Sequence, residues 1–185
     1  LIHIASMSNL MAALGWALVD LLEHPIQRQR VAEGDSELAQ RCALESTRLA
    51  QRSIMSRAVL APVDLDTGDQ IYRVPAGWTV ATLLPLLNTS AAPDLDSWNP
   101  ERWHRHRLAD TTAMASPMLV TVFGHGKHSC PAQPFSLAAM TTAMAYLCDW
   151  YEMTPGWTSY PRPVPAQIGG VARSADECPA TYVRK

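Results

Sequence analysis

The chain has 185 residues, of which 48% are hydrophobic and 17% charged, and its net charge is −2. These values exclude global disorder and leave no electrostatic case for a nucleic-acid binder or a polybasic membrane protein. Four cysteines in a chain this long do not make a disulfide scaffold and read as intracellular thiols.

Residues 1–24 read as one long helix, with apolar residues recurring at Leu10, Ala13, Leu14, Ala17, Leu18, Leu21 and Leu22. No cap precedes it, and the sequence shows neither an initiator Met nor a signal peptide, so the chain is expected to begin inside an element. Asp20 and the closing Glu23-His24-Pro25 leave the apolar stretch too short and too charged to span a bilayer. Pro25 ends this helix or opens the next, a short polar helix over 26–33 that Gly34 and Asp35 break. Helix resumes over 36–51, with Ser36 as the expected N-cap.

Residues 52–83 read as a small β region, with turns at Asp66-Thr67-Gly68-Asp69 and Pro75-Ala76-Gly77. Residues 84–118 are irregular and rich in Pro, Trp, Asn and Asp. A loop that long in a compact domain is functional or packs against something large. Residues 119–150 hold a glycine-bearing loop and then, after Cys130, a helix running to about Asp149, with Pro131 and Pro134 in its first turn. Residues 151–185 read as short strands and turns.

The strongest chemical signal is Phe123-Gly124-His125-Gly126-Lys127-His128-Ser129-Cys130-Pro131. A loop that delivers a cysteine to a helix start lowers the thiol pKa through free N–H groups and the helix dipole. Such a thiolate serves as a nucleophile, a soft-metal ligand or a haem ligand. The competing reading is a small buried hydrophobe. A zinc site from His125, His128 and Cys130 is weaker, because no second pair stands at finger or ribbon spacing. Glu45-Ser46-Thr47-Arg48 and Trp98-Asn99-Pro100-Glu101-Arg102-Trp103 carry little alone: an i, i+3 ion pair and an arginine between aromatics.

Together, in this order and spacing, these segments resemble the cytochrome P450 family, the haem-thiolate monooxygenases. Glu45-x-x-Arg48 matches the family's ExxR helix, Pro100-Glu101-Arg102-Trp103 its meander, and Phe123-x-x-Gly126-x-His128-x-Cys130 its haem loop. Val74-Pro75-Ala76-Gly77-Trp78 matches the strand turn before the meander, and Gly169-Gly170-Val171-Ala172-Arg173 the near-terminal hairpin. The resemblance implies a mainly α fold with small β-sheets, the C-terminal portion of a single P450 domain. It implies haem b as cofactor, Cys130 as axial iron ligand, and a buried triad of Glu45, Arg48 and Arg102. Phe123 would pack beside the ligand, Gly126 would let the backbone approach the porphyrin, and His128 and Arg57 would hold propionates.

The resemblance also places the first helix on the distal side of the haem, with Ala5 at the haem face and Ser8 and Asn9 where the family has its acid–alcohol pair. Ser8 can hydrogen-bond but is no carboxylate acid, and Asn9 does not readily shuttle protons. Family members with Asn here include a peroxide-using isomerase and true sterol hydroxylases. Ala132 replaces the family's usual Gly. Substrate-facing positions would be Leu1, Ile4, Ala5, Ser8, Asn9, Ser53, Ile54, Met55 and Ile168, which suit a hydrophobic small molecule of sterol, terpenoid, fatty-acid or polyketide type.

The expected activity is oxidation of that substrate with dioxygen and two electrons. The alternatives are a peroxide-using isomerase or peroxygenase on the same scaffold, or a truncated haem-binding fragment without catalysis. Electrons would come from a ferredoxin- or flavodoxin-type partner, or a reductase, steered by Arg102, Arg105, Arg107 and Lys127. The family's domain is more than twice this length, so a fragment of a longer protein is expected. The compact connections suggest a soluble bacterial, cytoplasmic type, and a membrane anchor would lie upstream.

Overall fold

The computed structural model describes residues 2–165 and 167–185, with backbone alone for residues 2–6. Leu1 and the side chains of Ile4 and Ala5, expected near the haem or substrate, therefore lie outside the described residues.

The helices are α1 (Ile2–Glu23), α2 (Pro25–Ala32), α3 (Ser36–Ala50), α4 (Leu84–Ser90) and α5 (Gln133–Trp150). The strands are β1 (Ile54–Ala58), β2 (Val63–Asp66), β3 (Ile71–Val74), β4 (Thr79–Leu83), β5 (Trp103–His104), β6 (Arg107–Leu108), β7 (Tyr151–Pro155) and β8 (Ala180–Arg184). They pair as four antiparallel two-stranded sheets among the described residues: β1 with β4, β2 with β3, β5 with β6, and β7 with β8. Pro25 is the first residue of α2, where its missing N–H costs nothing. The β2–β3 hairpin turns at Gly68, whose φ is +87°, and Asp66 Oδ1 accepts from its N–H at 2.8 Å.

α3 is the centre of the molecule. α1, α5, α4 and the meander all pack on it. Leu38, Ala39, Cys42, Ala43 and Leu44 are buried on its sides, against Ala13 and Ala17 of α1 and Leu137, Met140 and Met144 of α5. Small residues on α1 and α3 suit close helix approach.

Three expectations require correction. The N-cap of α3 is Asp35, not Ser36: Asp35 Oδ1 accepts from Leu38 N–H at 2.9 Å. A carboxylate one residue earlier satisfies the helix's orphan donor and also complements its dipole. Residues 84–118 are not wholly irregular, because α4 occupies their start with Pro85 in its first turn. Finally, α5 begins at Gln133, three residues beyond Cys130, with Ala132 as a cap that makes no side-chain bond. Pro134 lies in its first turn, and Pro131 precedes the helix. None of the described helices is long and apolar enough to cross a membrane.

Candidate functional site

Residues 123–130 fold into a tight loop closed at its base, where Cys130 N–H donates to Phe123 O at 2.7 Å. Inside it, Gly126–His128 make a single 3-10 turn, and Ser129 N–H donates back to Gly126 O at 3.1 Å. Gly124 (φ +81°) is the glycine that the close approach demands, since a Cβ there would lie 2.8 Å from His128 O. Gly126 also has positive φ, +59°, but a Cβ there would meet nothing within 4 Å.

The loop is moored to the helical core by polar side chains that no local motif announces. Asn88 of α4 is fully buried; its Nδ2 donates to Thr121 O at 2.9 Å and to Arg48 O at 3.2 Å, and its Oδ1 accepts from Thr121 N–H at 3.0 Å. Thr121 Oγ1 then accepts from Gly124 N–H at 2.7 Å. Gln51 Nε2 donates to Val122 O at 3.1 Å, while Gln51 Oε1 accepts from Ser53 Oγ–H at 2.8 Å. A buried amide with its hydrogen bonds made fixes a loop as firmly as backbone pairing does.

Behind the loop, Glu45 and Arg48 are each 0% exposed. Their pairing is bidentate: Arg48 Nη2 to Oε1 at 2.7 Å and Nε to Oε2 at 2.9 Å. Arg102 Nε reaches Glu45 Oε1 at 2.8 Å, Trp103 Nε1 reaches Oε2 at 2.8 Å, and Asn99 N–H reaches Oε1 at 3.0 Å. The remaining Arg48 donors go to the carbonyls of Asn88, Leu95 and Ser97. Arg102 gives Nη2 to Asp94 O at 2.8 Å, so its guanidinium is spent on the meander. The long irregular segment is thus ordered by carbonyls converging on two arginines.

Between the loop, α1, β1 and the 170–171 turn lies a cavity of about 660 Å³. Cys130, Phe123, His128, Arg57 and Asn9 line it, together with Ser53, Ile54 and Met55. Ser8 is exposed and is not among the lining residues, and Ile168 stands outside it, 77% exposed. Asn9 Oδ1 accepts from Val171 N–H at 3.0 Å, tying α1 to the terminal turn, and a Cβ on Gly170 would collide with that oxygen. Arg57 is exposed, and its Nη1 donates to the neighbouring Ser56 O at 2.8 Å. It forms no ion pair with a described carboxylate.

Of the four thiols, only Cys130 lines this cavity. Burial pushes the Cys42 thiol up to about 12 and the Cys148 thiol up to about 11, which keeps both neutral and inert. His125 does not join Cys130, because its Nε2 lies 3.2 Å from Val120 O, and no group of three metal-binding side chains forms among the described residues. The cavity's size lies within the range of cofactor sites. One thiol in its wall, with two basic side chains and otherwise mostly apolar lining, is a donor set that fits an apolar, iron-bearing, carboxylate-edged cofactor.

No family model matches the chain. Among curated proteins it is similar to the human 24-hydroxycholesterol 7-alpha-hydroxylase, 25% identical over 98% of this chain and 42% of that protein. It is also similar to the Arabidopsis thaliana sterol 14-demethylase, 28% identical over 78% of this chain and 28% of that protein. The chain thus spans less than half the length of the curated relatives it matches. Among solved structures, a 6-coordinated cytochrome P450 from Thermus thermophilus superposes with a TM-score of 0.71 at 23% identity, covering 94% of this chain and 46% of that one. A second chain, from another strain of the same organism, gives 0.68 at 24% identity, covering 94% of this chain and 43% of that one.

Proposed function

We propose that the chain, which has the fold of the C-terminal half of the cytochromes P450 and is similar to two sterol-acting curated proteins, forms the thiolate side of a haem monooxygenase. The observation that carries the reading is the placement of Cys130 in a cavity wall at the base of a loop moored to a buried Glu45–Arg48 pair. Haem b is the proposed cofactor. Cys130 would ligate its iron, Phe123 would pack beside the thiolate, and Arg57 and His128 would hold its carboxylates. When bound, it supplies the capacity to activate dioxygen with two electrons.

The chain's own residues do the remaining work. Glu45, Arg48 and Arg102 hold the meander against α3, and Asn88 and Gln51 pass that rigidity to the cysteine loop. Ile54 and Met55, beside the hydrogen-bonded Ser53, give the substrate a mostly apolar wall. The substrate is a hydrophobic small molecule, and a sterol is favoured because both curated relatives carry sterol-acting names. Asn9 hydrogen-bonds without serving as a carboxylate acid, so protons reach the site through water. A ferredoxin- or flavodoxin-type partner delivers the electrons, drawn to the basic residues Arg105, Arg107 and Lys127.

The test is the absorption spectrum of the reduced, haem-loaded protein under carbon monoxide. A strongly red-shifted Soret band, lost in Cys130→Ala, is the expected result. An unshifted band would mean a neutral thiol or histidine ligand and would overturn the assignment. Turnover with peroxide alone, and none with reductant, would favour the isomerase or peroxygenase reading.

A further inference from the structure

A second cavity, of about 450 Å³, lies between α1, α3, the meander and the terminal segment, and the thiol site makes no use of it. Its walls are aromatic: Trp16 stacks with Tyr160 at 6.1 Å between ring centroids, and His24 stacks on Trp98 at 4.2 Å. Two carboxylates, Asp20 and Asp96, line it, and no lysine or arginine does. Its one basic group is His24, whose Nδ1–H donates to the Asp20 carbonyl at 2.7 Å.

Asp20 is the unusual element. It sits on the apolar face of α1, 2% exposed. Tyr160 Oη–H donates to its Oδ1 at 2.7 Å. Trp98 Nε1 donates to Ser46 Oγ at 3.0 Å, and the Ser46 hydroxyl in turn bonds the Asp20 carboxylate. Two hydroxyl donors suit an ionised carboxylate, yet no described cation forms an ion pair with it. A carboxylate has about four lone-pair sites, and two remain. A buried anion without a cation is costly, and a cation arriving from outside relieves that cost. Flat aromatic faces add attraction for a cation.

We propose that this cavity binds a small organic monocation, its ammonium head paired with Asp20 and held against the Trp98 and Tyr160 rings. The site is separate from the thiol cavity and does not rest on the chemistry proposed there. Burial raises the Asp20 carboxyl to about 6, so the proton competes with the ligand. The groups facing Asp20 are His24 at the end of α1, Glu45, Ser46 and Cys42 on α3, Tyr160 on the terminal segment, and Asp96 across the cavity. Of these, Glu45 discourages its ionisation and favours a cation, while His24 acts the other way.

The probe is choline, whose quaternary nitrogen carries charge but cannot ligate a metal, set against 3,3-dimethylbutan-1-ol, its uncharged isostere. Calorimetric titration of the chain should show choline binding at least about tenfold tighter than the alcohol, and about tenfold tighter at pH 7.5 than at pH 5. Asp20→Asn should reduce choline to the level of the alcohol, and Trp98→Leu should weaken it severalfold. Equal affinity for the two probes, no saturable choline binding, or pH-independent choline binding would each overturn the proposal. The two wild-type comparisons decide it even if a variant fails to fold.

Discussion

Glu45 is an acid in a place where an isolated charge would be ruinous, and its five hydrogen bonds explain why it is tolerated. Deleting one partner of such a buried pair costs about 3–5 kcal/mol, because the other charge stays behind. Lysine could not replace Arg48, since a point charge cannot reproduce the two-pronged contact. The glycines of the cysteine loop are individually unequal. Gly124→Ala places a methyl 2.8 Å from His128 O and forces a β-carbon into positive φ. Gly126→Ala meets only the second penalty. Gly124→Ala should therefore lose about 1–3 kcal/mol of stability and most of its haem retention. Gly126→Ala should retain more, and denaturant melts and haem titration on both variants check the order.

At the scale of elements, the caps decide where helices begin. Asp35 caps α3, and the Leu38 N–H bond, aided by Arg30 at 2.7 Å, holds its carboxyl below the usual range. A depressed carboxyl supports the fold above its ordinary pKa and loses that support as pH falls through the depressed value. Asp35→Ala should cost about 1 kcal/mol at neutral pH, and Asp35→Asn a few tenths, read from urea midpoints. These ends also show what the sequence does and does not reveal. α1 and α3 are legible because apolar spacing extends over several turns. The β2–β3 turn is legible because Asp66 and Gly68 have no cheaper use. α4 escapes notice: it is seven residues long, and its N-cap makes no side-chain bond. Asn88 escapes with it, since its partners lie 33 and 40 residues away. A lone asparagine in an apolar run, Leu84-Pro85-Leu86-Leu87-Asn88, is the available hint.

For the whole molecule, the largest electrostatic liability is Asp20 rather than the Glu45 cluster. Burial raises its carboxyl to about 6, so the folded chain holds this proton more tightly than the unfolded one. The sign follows: stability falls as pH rises from about 4 to 6 and then levels off, with a total on the order of 3 kcal/mol. Asp20→Asn should thus be more stable than the parent at pH 7.5, with the gap closing towards pH 4. Paired urea unfolding curves at the two pH values measure it, and a constant gap would contradict the burial argument. Asn88 has a different consequence at this scale. Neither the cysteine loop nor the helical centre can detach alone without leaving a buried carboxamide and a threonine backbone bereft of partners. The two segments therefore open as a single cooperative unit, so the cysteine proposed to hold the iron is guarded by the same free-energy barrier that protects the most deeply buried helix.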